Sequence, residues 1–399
     1  MKPPHVVIVN QNVPLERDLR PRKEAEALAS AGYAVTLLGG CDSPERIRDL
    51  TAPDVHLELF PQPCGGEGVA GQIREQSQAL ARAVAALRRV GRRSPVAAVH
   101  AGNPPDNFFL ARRALWPIQG FAPRFVFDQH DAAPVLLAEK YPDTPLATPL
   151  MLAARAIERR SFAAARFVVF ANAEFRARAA REGLLRTDSE VVPNGWSLPD
   201  VPPHPGWRTG VDHVIAYVGT IGEQDNVDHL VDAVAVLRGR FTLRVIVAGA
   251  GSAFDAVKHH ARRRGIDGAF TWLGFVHDRD RLAALVRAAD VCVAPEIDSA
   301  FNRLATFVKI VEYMSLGMPV AAHRLPQTES LAGDAIAYAA DMTAEALAAA
   351  IGDLLESPER AQALGRAARQ RFDERISWAC VGQPRLLAGY DRLFGRRSS

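Results

Sequence analysis

The chain has 399 residues, of which 48% are hydrophobic and 23% charged, with a formal net charge of +3. That length is too great for one ordinary core and predicts two domains of roughly 200 residues each. The composition excludes a disordered chain, no apolar run reaches the ~18–20 residues of a membrane-spanning helix, and so small a positive excess argues against a nucleic-acid partner.

The amino terminus enters the strand-like run HVVIVN (5–10) at once. It lacks the charged start, long apolar centre and small-residue cleavage site of a secretory signal, so the expected location is the cytoplasm. Further short apolar runs follow at 33–38, 55–60, 96–100, 124–129 and 167–172. Between them, residues 21–32, 71–90 and 146–164 carry the apolar spacing of helices. Strands alternating with helices predict βαβ units and a parallel sheet covered on both faces. The run RRVGRR (88–93) and arginines at 112, 113, 124, 155, 159 and 160 give this half several basic surfaces. Solvated helix faces are the plain reading, and contact with anionic lipid heads or phosphates the functional one.

Four prolines between Pro199 and Pro205, with glycines beyond, suit a linker that continues neither helix nor central strand. The pattern then restarts, with strands expected at 214–219, 242–249, 270–276, 290–296 and 319–323. The predicted fold is α/β, two Rossmann-like doubly wound parallel-sheet domains facing a cleft. The first occupies 1–200 and the second 201–375, and residues 376–399 form a terminal helical segment. Cys41, Cys64, Cys292 and Cys380 are far apart, show no metal-ligand spacing and suit a reducing compartment.

In such sheets ligands bind beyond the carboxyl ends of the strands. In VGTIGEQDNVDHLVDA a strand ends at Gly219, and Asp225 or Asn226 can cap a helix starting near Val227, an arrangement able to receive phosphate. VAGAGSA (247–253), which holds Gly249, repeats it; both turns are also ordinary features of any α/β fold. In TFVKIVEYMSLG, a helix over 305–316 places Phe307, Ile310, Val311 and Met314 on one stripe and Lys309 with Glu312 on the opposite side. The plain reading is a solvent-exposed ion pair three residues apart. The functional one has Lys309 offering a cation to a diphosphate and Glu312 accepting from ribose hydroxyls.

KIVEYMSLGMPVAA, followed by Glu329 in LPQTES, resembles the nucleotide-sugar signature of the family 4 glycosyltransferases with the GT-B fold. HAGNPPDNFFLARRAL (100–115), FVFDQHDAAPVLLAEKY (125–141), IERRSFAAARFVVFANAEFR (157–176), VVPNG (191–195), YVGTIGEQDNVD (217–228) and the stretch from Asn302 to Met314 resemble, in the same order, a bacterial cell-surface polysaccharide branch of that family. The resemblance implies that His130 lies against the donor sugar and that Asp131 orients the imidazole or the acceptor hydroxyl. It implies further that Glu312 holds the ribose, that Gly219 and Thr220 lie under the diphosphate, and that Gly249 and Asn302 belong to the same donor site. The terminal segment, with Trp378, Leu386, Leu387, Tyr390 and Leu393 at helical intervals, is expected to form one helix packing back on the first domain, as this fold usually does.

Two departures from the family pattern stand out. The first acidic residue of its usual pair is Leu304 here, and the arginine and lysine that often follow the strand-end glycine are Thr220 and Asp225. Lys309 is then the candidate to stabilise the departing diphosphate. The resemblance implies retention of anomeric configuration, a nucleotide-diphosphate sugar as donor substrate, no cofactor and no metal. The DRD at 278–280 reads as a helix start. The implied acceptor is a glycan, lipid-linked or small molecule, with peripheral membrane contact of the first domain as a further expectation. Two other functions fit the same architecture: a nucleotide-sugar 2-epimerase and a non-catalytic GT-B binding protein.

Overall fold

The computed structural model describes residues 3–64, 68–140 and 147–395. Leu146 and Tyr141 of the stretches above, and the last four residues of the terminal segment, lie outside them. The chain forms two compact units, Met1–Val192 with Gly382–Ser399, and Pro193–Val381.

The first unit is built on a seven-stranded sheet of strands β1 (His5–Asn10), β2 (Ala34–Cys41), β3 (Val55–Pro61), β4 (Ala98–Gly102), β5 (Arg124–Gln129), β6 (Phe167–Phe170) and β7 (Ser189–Val191). Their order is β3-β2-β1-β4-β5-β6-β7, every pair parallel. Both faces are covered, so HVVIVN is buried at every position, as a near-continuous apolar strand requires. β7 escaped the sequence reading because SEV is short and only partly apolar.

The second unit carries a six-stranded parallel sheet of β8 (His213–Val218), β9 (Leu243–Ala248), β10 (Phe270–Gly274), β11 (Val291–Ala294), β12 (Val320–Ala322) and β13 (Ala337–Tyr338), ordered β10-β9-β8-β11-β12-β13. One core gathers Ile215, Val231 and Leu347 on one face of the sheet, another Val214, Ile310 and Phe372 on the other. Both sheets reverse their strand order once, between β1 and β4 and between β8 and β11. Such switch points leave a crevice at the carboxyl ends of the strands.

The second unit begins at Pro193 rather than after residue 200. Locally, the Gly195 carbonyl accepts from Trp378 N at 2.8 Å, Trp196 packs on Trp378 with ring centroids 4.9 Å apart, and Leu198 N donates to Ser315 Oγ at 3.1 Å. These contacts anchor the VPNGWSL segment before the prolines begin.

The terminal segment is one helical run, a π turn Trp378–Gly382 passing directly into helix Gln383–Phe394, set off from helix Pro358–Arg375 by a break at residues 376–377 in which Ile376 is buried in the second core. The last helix belongs to the first unit. There Tyr390 packs edge-on to Tyr33 and Phe167, and a Cβ at Gly389 would sit 2.1 Å from Phe167 Cζ. No helix among the described residues is long and apolar enough to cross a membrane.

Candidate functional site

In the first unit, charge converges behind the carboxyl ends of β4 and β5. Arg20, in the first turn of helix Leu19–Ser30, forks onto Asp128 of β5 through Nε at 2.9 Å and Nη2 at 2.7 Å, and donates to the Val192 carbonyl at 2.8 Å. Its Nε lies 3.2 Å from Glu24, one turn along the same helix. All three side chains are buried. Although burial alone raises a carboxyl's pKa, the Arg20 guanidinium and the His130 ring hold Asp128 well below the usual range. Burial and the Asp128 charge push Glu24 well above it. His100 of β4 joins the network, with Nδ1 2.8 Å from the Tyr390 hydroxyl. Glu24, His100 and Asp128 are the group among the described residues whose ligand atoms lie close enough to share a metal ion. The guanidinium already occupying both Asp128 oxygens answers for their proximity.

His130 follows β5 directly, and its ring Nε2 is hydrogen-bonded to Asp128 Oδ2. Asn103, after β4, clamps the turn: its Oδ1 accepts from His130 N at 2.6 Å and from Asp131 N at 3.2 Å, and its Nδ2 donates to the Asp131 carbonyl at 2.8 Å. A Cβ at Gly102 would lie 2.8 Å from the His130 ring, so glycine gives the imidazole its space. The structure therefore corrects one of the two alternatives for Asp131: the acid that orients the ring is Asp128. Asp131 is tied down by its backbone, and burial raises its carboxyl pKa. A carboxylate two residues before a histidine, at a strand's end, was the available signal; the forking arginine was not visible in sequence.

In the second unit, the strand-end loops of β8, β9 and β11 meet at the switch point. Gly219 has φ +146°, and a Cβ there would stand 2.6 Å from Lys309 Cε. A Cβ on Gly249 would fall 1.9 Å from the Gly219 carbonyl. These two glycines let the ends of β8 and β9 and the lysine stem pack together. Thr220 is exposed, and its carbonyl accepts from the Tyr217 hydroxyl at 2.5 Å. Asn302 ties the loops to each other, donating to the Gln224 carbonyl at 2.9 Å and the Ile297 carbonyl at 3.0 Å.

Lys309 lies on helix Val308–Ser315, shorter than expected because Phe307 is its extended N-cap. Lys309 and Glu312 are both buried, not a solvent-exposed pair, and each has its own partner. The Lys309 ammonium reaches the Tyr217 hydroxyl at 3.0 Å, Asp225 Oδ1 at 3.4 Å and Glu296 Oε1. Burial opposes its charge, but Glu296, Tyr217 and Asp225 outweigh burial and raise its pKa. Asp225, where the family often has lysine, thus serves Lys309 and also accepts from Gly222 N at 3.0 Å.

Neither Asp225 nor Asn226 caps the helix Val227–Leu237 with its side chain; Asn226 sits at φ 47° and accepts from Ile297 N at 3.1 Å. The expectation of Lys309 as a free cation for a diphosphate is therefore corrected, since two carboxylates balance it. Glu312 faces Arg279 at 3.4 Å, and burial, partly offset by Arg279, raises its carboxyl pKa. In the DRD, Asp278 caps helix Arg279–Arg287 through Asp280 N at 2.9 Å and Arg281 N at 3.1 Å.

The structure thus gathers Gly219, Gly249, Asn302 and Lys309 in one cluster and places Glu312 beside Arg279, with Thr220 exposed on the neighbouring turn. His130 and Asp131 occupy the other unit's strand ends. Glu296 and Tyr217 went unnoticed in sequence, where an acid after a strand and an aromatic within one look ordinary.

Known proteins match this pattern. Residues 20–195 fit the glycosyl transferase 4-like domain and residues 212–357 the glycosyl transferases group 1 domain. A GDP-mannose-dependent alpha-(1-6)-phosphatidylinositol dimannoside mannosyltransferase of Mycobacterium tuberculosis is 30% identical over 232 residues, 53% of this chain and 58% of the relative, so the chain spans little more than half of that protein. Among solved structures, sucrose-phosphate synthase from Thermosynechococcus elongatus superposes with TM-score 0.75 at 18% identity, covering 99% of this chain and 100% of that one. A TarM variant of S. aureus, solved with UDP, alpha-GlcNAc-glycerol and Fondaparinux, gives TM-score 0.71 at 10% identity, covering 99% and 100%. With a glycosyltransferase domain matched in each half and two doubly wound sheets of the GT-B kind beneath them, the chain belongs to the family 4 glycosyltransferases.

Proposed function

We propose that the protein transfers a sugar from a nucleoside diphosphate donor to an acceptor hydroxyl with retention of anomeric configuration and without a metal ion. The observation carrying this reading is the second unit's switch point, where the glycine-lined ends of β8 and β9 close on a helix bearing Lys309 and, one turn on, Glu312. Glu312, buried yet at the edge of the unit beside Arg279, accepts from the donor's ribose hydroxyls. The exposed turn at Thr220 and the start of helix Val227–Leu237 present backbone N–H groups to the diphosphate, where developing negative charge is best met by fixed dipoles. Lys309 acts by holding Asp225 and Glu296, one beyond β8 and one beyond β11, so that these loops are already ordered when the donor arrives.

His130, its ring set by Asp128, is the first unit's candidate for a catalytic role. A retaining double displacement needs two carboxyl groups about 5 Å apart, one of them a nucleophile. Asp128, Asp225, Glu296 and Glu312 are instead each engaged by a cation or an imidazole. A front-face displacement, in which the departing phosphate oxygen takes the acceptor proton, asks of the protein only positioning and charge stabilisation.

The test is chromatography of the nucleoside diphosphate released from a panel led by GDP-mannose and UDP-glucose, with the configuration of the transferred sugar read by NMR. An α-configured product from an α-configured donor supports the reading. An inverted product, or epimerisation of the donor without transfer, contradicts it.

A further inference from the structure

We propose that the first unit carries a second site, a pocket for a phosphate-bearing anion at the amino ends of β5, β6 and β7, on the edge of the sheet opposite His130. Because these strands are parallel, the residues that precede them gather along one edge. Arg124 opens β5, Arg166 stands just before β6 and Thr187 just before β7. Arg112, from the 3-10 stretch Asp106–Leu115, and Arg392, from the last helix, complete a cavity of about 550 Å³.

The charges in this cavity are not balanced. Arg392 is matched by Asp188 and Glu190, each at 2.6 Å. Among the described residues, no carboxylate forms an ion pair with Arg112, Arg124 or Arg166. Arg124 lies with its guanidinium 4.8 Å from the centre of the Phe394 ring, which fixes its plane. The Thr187 hydroxyl donates to the Arg166 carbonyl at 2.8 Å, holding that backbone in place. Arg112 donates through Nη1 to the Pro123 carbonyl at 3.0 Å, but its Nε is buried without a partner. Burial together with the neighbouring Arg113 and Arg166 lowers the Arg112 pKa, a sign that like charges converge here at a cost.

An ordinary solvated arginine face has neither a cavity nor a buried guanidinium nitrogen left unbonded. Guanidinium forks match the oxygens of phosphate, and three of them around one cavity suit an anion with at least three acceptor oxygens better than a carboxylate with two. The shared chemistry is a terminal phosphate, inorganic or a monoester, free in solution or carried on a lipid. Phe121, next to the lining residues Ala122 and Pro123, and Trp116, whose carbonyl closes the same turn, are exposed. Aromatic side chains of this kind favour a membrane interface, which makes the lipid source worth a separate arm.

The experiment uses the full chain. Thermal unfolding is followed against inorganic phosphate at fixed ionic strength, with chloride as reference. Flotation is measured with phosphatidylcholine vesicles with and without phosphatidic acid. Both are repeated on the Arg112→Gln/Arg166→Gln double variant. Since a hydrogen bond to a charged group contributes roughly a factor of ten or more in affinity, the double variant is expected to need at least about tenfold more phosphate for the same shift. Phosphate stabilisation lost in the variant supports a free anion. Flotation dependent on phosphatidic acid and lost in the variant supports a lipid headgroup. Equal response of wild type and variant in both arms, or no response in either, overturns the proposal. If the double variant does not fold, Arg166→Gln alone, which alters an exposed side chain, carries the same comparison.

Discussion

Both units bury an ion-paired cation where strands end and loops begin, and they use it in opposite ways. In the first unit Arg20 secures Asp128 from below, and Asp128 passes that order outward to His130, whose side chain keeps 15% exposure. In the second, Lys309, as deeply buried at 5% exposure as Arg20 at 3%, ends the chain of order inside, fastening Asp225 and Glu296 beneath the loops. A buried ion pair is seldom a net source of stability against a well-packed apolar alternative, whereas removing one partner is severe because the other charge remains. Both clusters therefore read as devices that fix loop geometry, one ending on a reactive ring and one on a shaped turn.

The largest effect is expected on the inward-facing side of the comparison. Lys309→Ala leaves Glu296 and Asp225 buried without a cation and should destabilise the second unit by about 3–5 kcal/mol; adding Glu296→Leu should restore a good part of it, measured by denaturant unfolding. Single and double variants of equal stability would remove the distinction between the units. Gly219→Ala comes next, combining a left-handed backbone position with the Lys309 contact, and a loss of about 1–3 kcal/mol is expected, together with weaker donor binding.

On the outward-facing side, Asp128→Asn should slow sugar transfer by at least about tenfold while leaving the donor-induced thermal shift nearly unchanged, because ring orientation and not donor binding depends on it. Tyr390→Phe removes only the hydroxyl that meets His100 and should cost about 1 kcal/mol.

A pH dependence gives a finer measure. Burial pushes Asp106 up to about 7, against an ordinary value of 3.8. With the folded pKa above the unfolded one, the native state holds a proton that the unfolded chain has released. The stability this group contributes is present below about pH 4 and is lost as pH rises through about 7. Asp106→Asn should therefore improve in melting temperature relative to wild type between pH 5 and pH 8. An unchanged difference would show that Asp106 titrates normally.

Much of this was legible in the sequence. The long apolar strands announced both sheets, and the restart after the proline-rich stretch announced the second. Short strands such as β7 and β13 were not legible, because two or three residues carry no period. The boundary at Pro193 was hidden because the proline-rich segment looks like a linker, whereas packing by Trp196 and Trp378 decides where the unit begins. At the site, motif positions were readable but pairings were not. Nothing in the spacing tells that Lys309 would meet Glu296, thirteen residues away, and Asp225, eighty-four away, or that Arg20 would cross to Asp128. Such partners are set by strand order, which a sequence period does not encode.

In the function proposed, the second unit's switch point receives a nucleoside diphosphate sugar through Glu312. The most direct test is calorimetric titration of wild type and Glu312→Gln with GDP- and UDP-sugars. Saturable binding of a sugar of one nucleotide is expected for the wild type, weakened about tenfold or more in the folded variant. Binding of equal strength in both proteins would contradict it, as would a wild type indifferent to every donor.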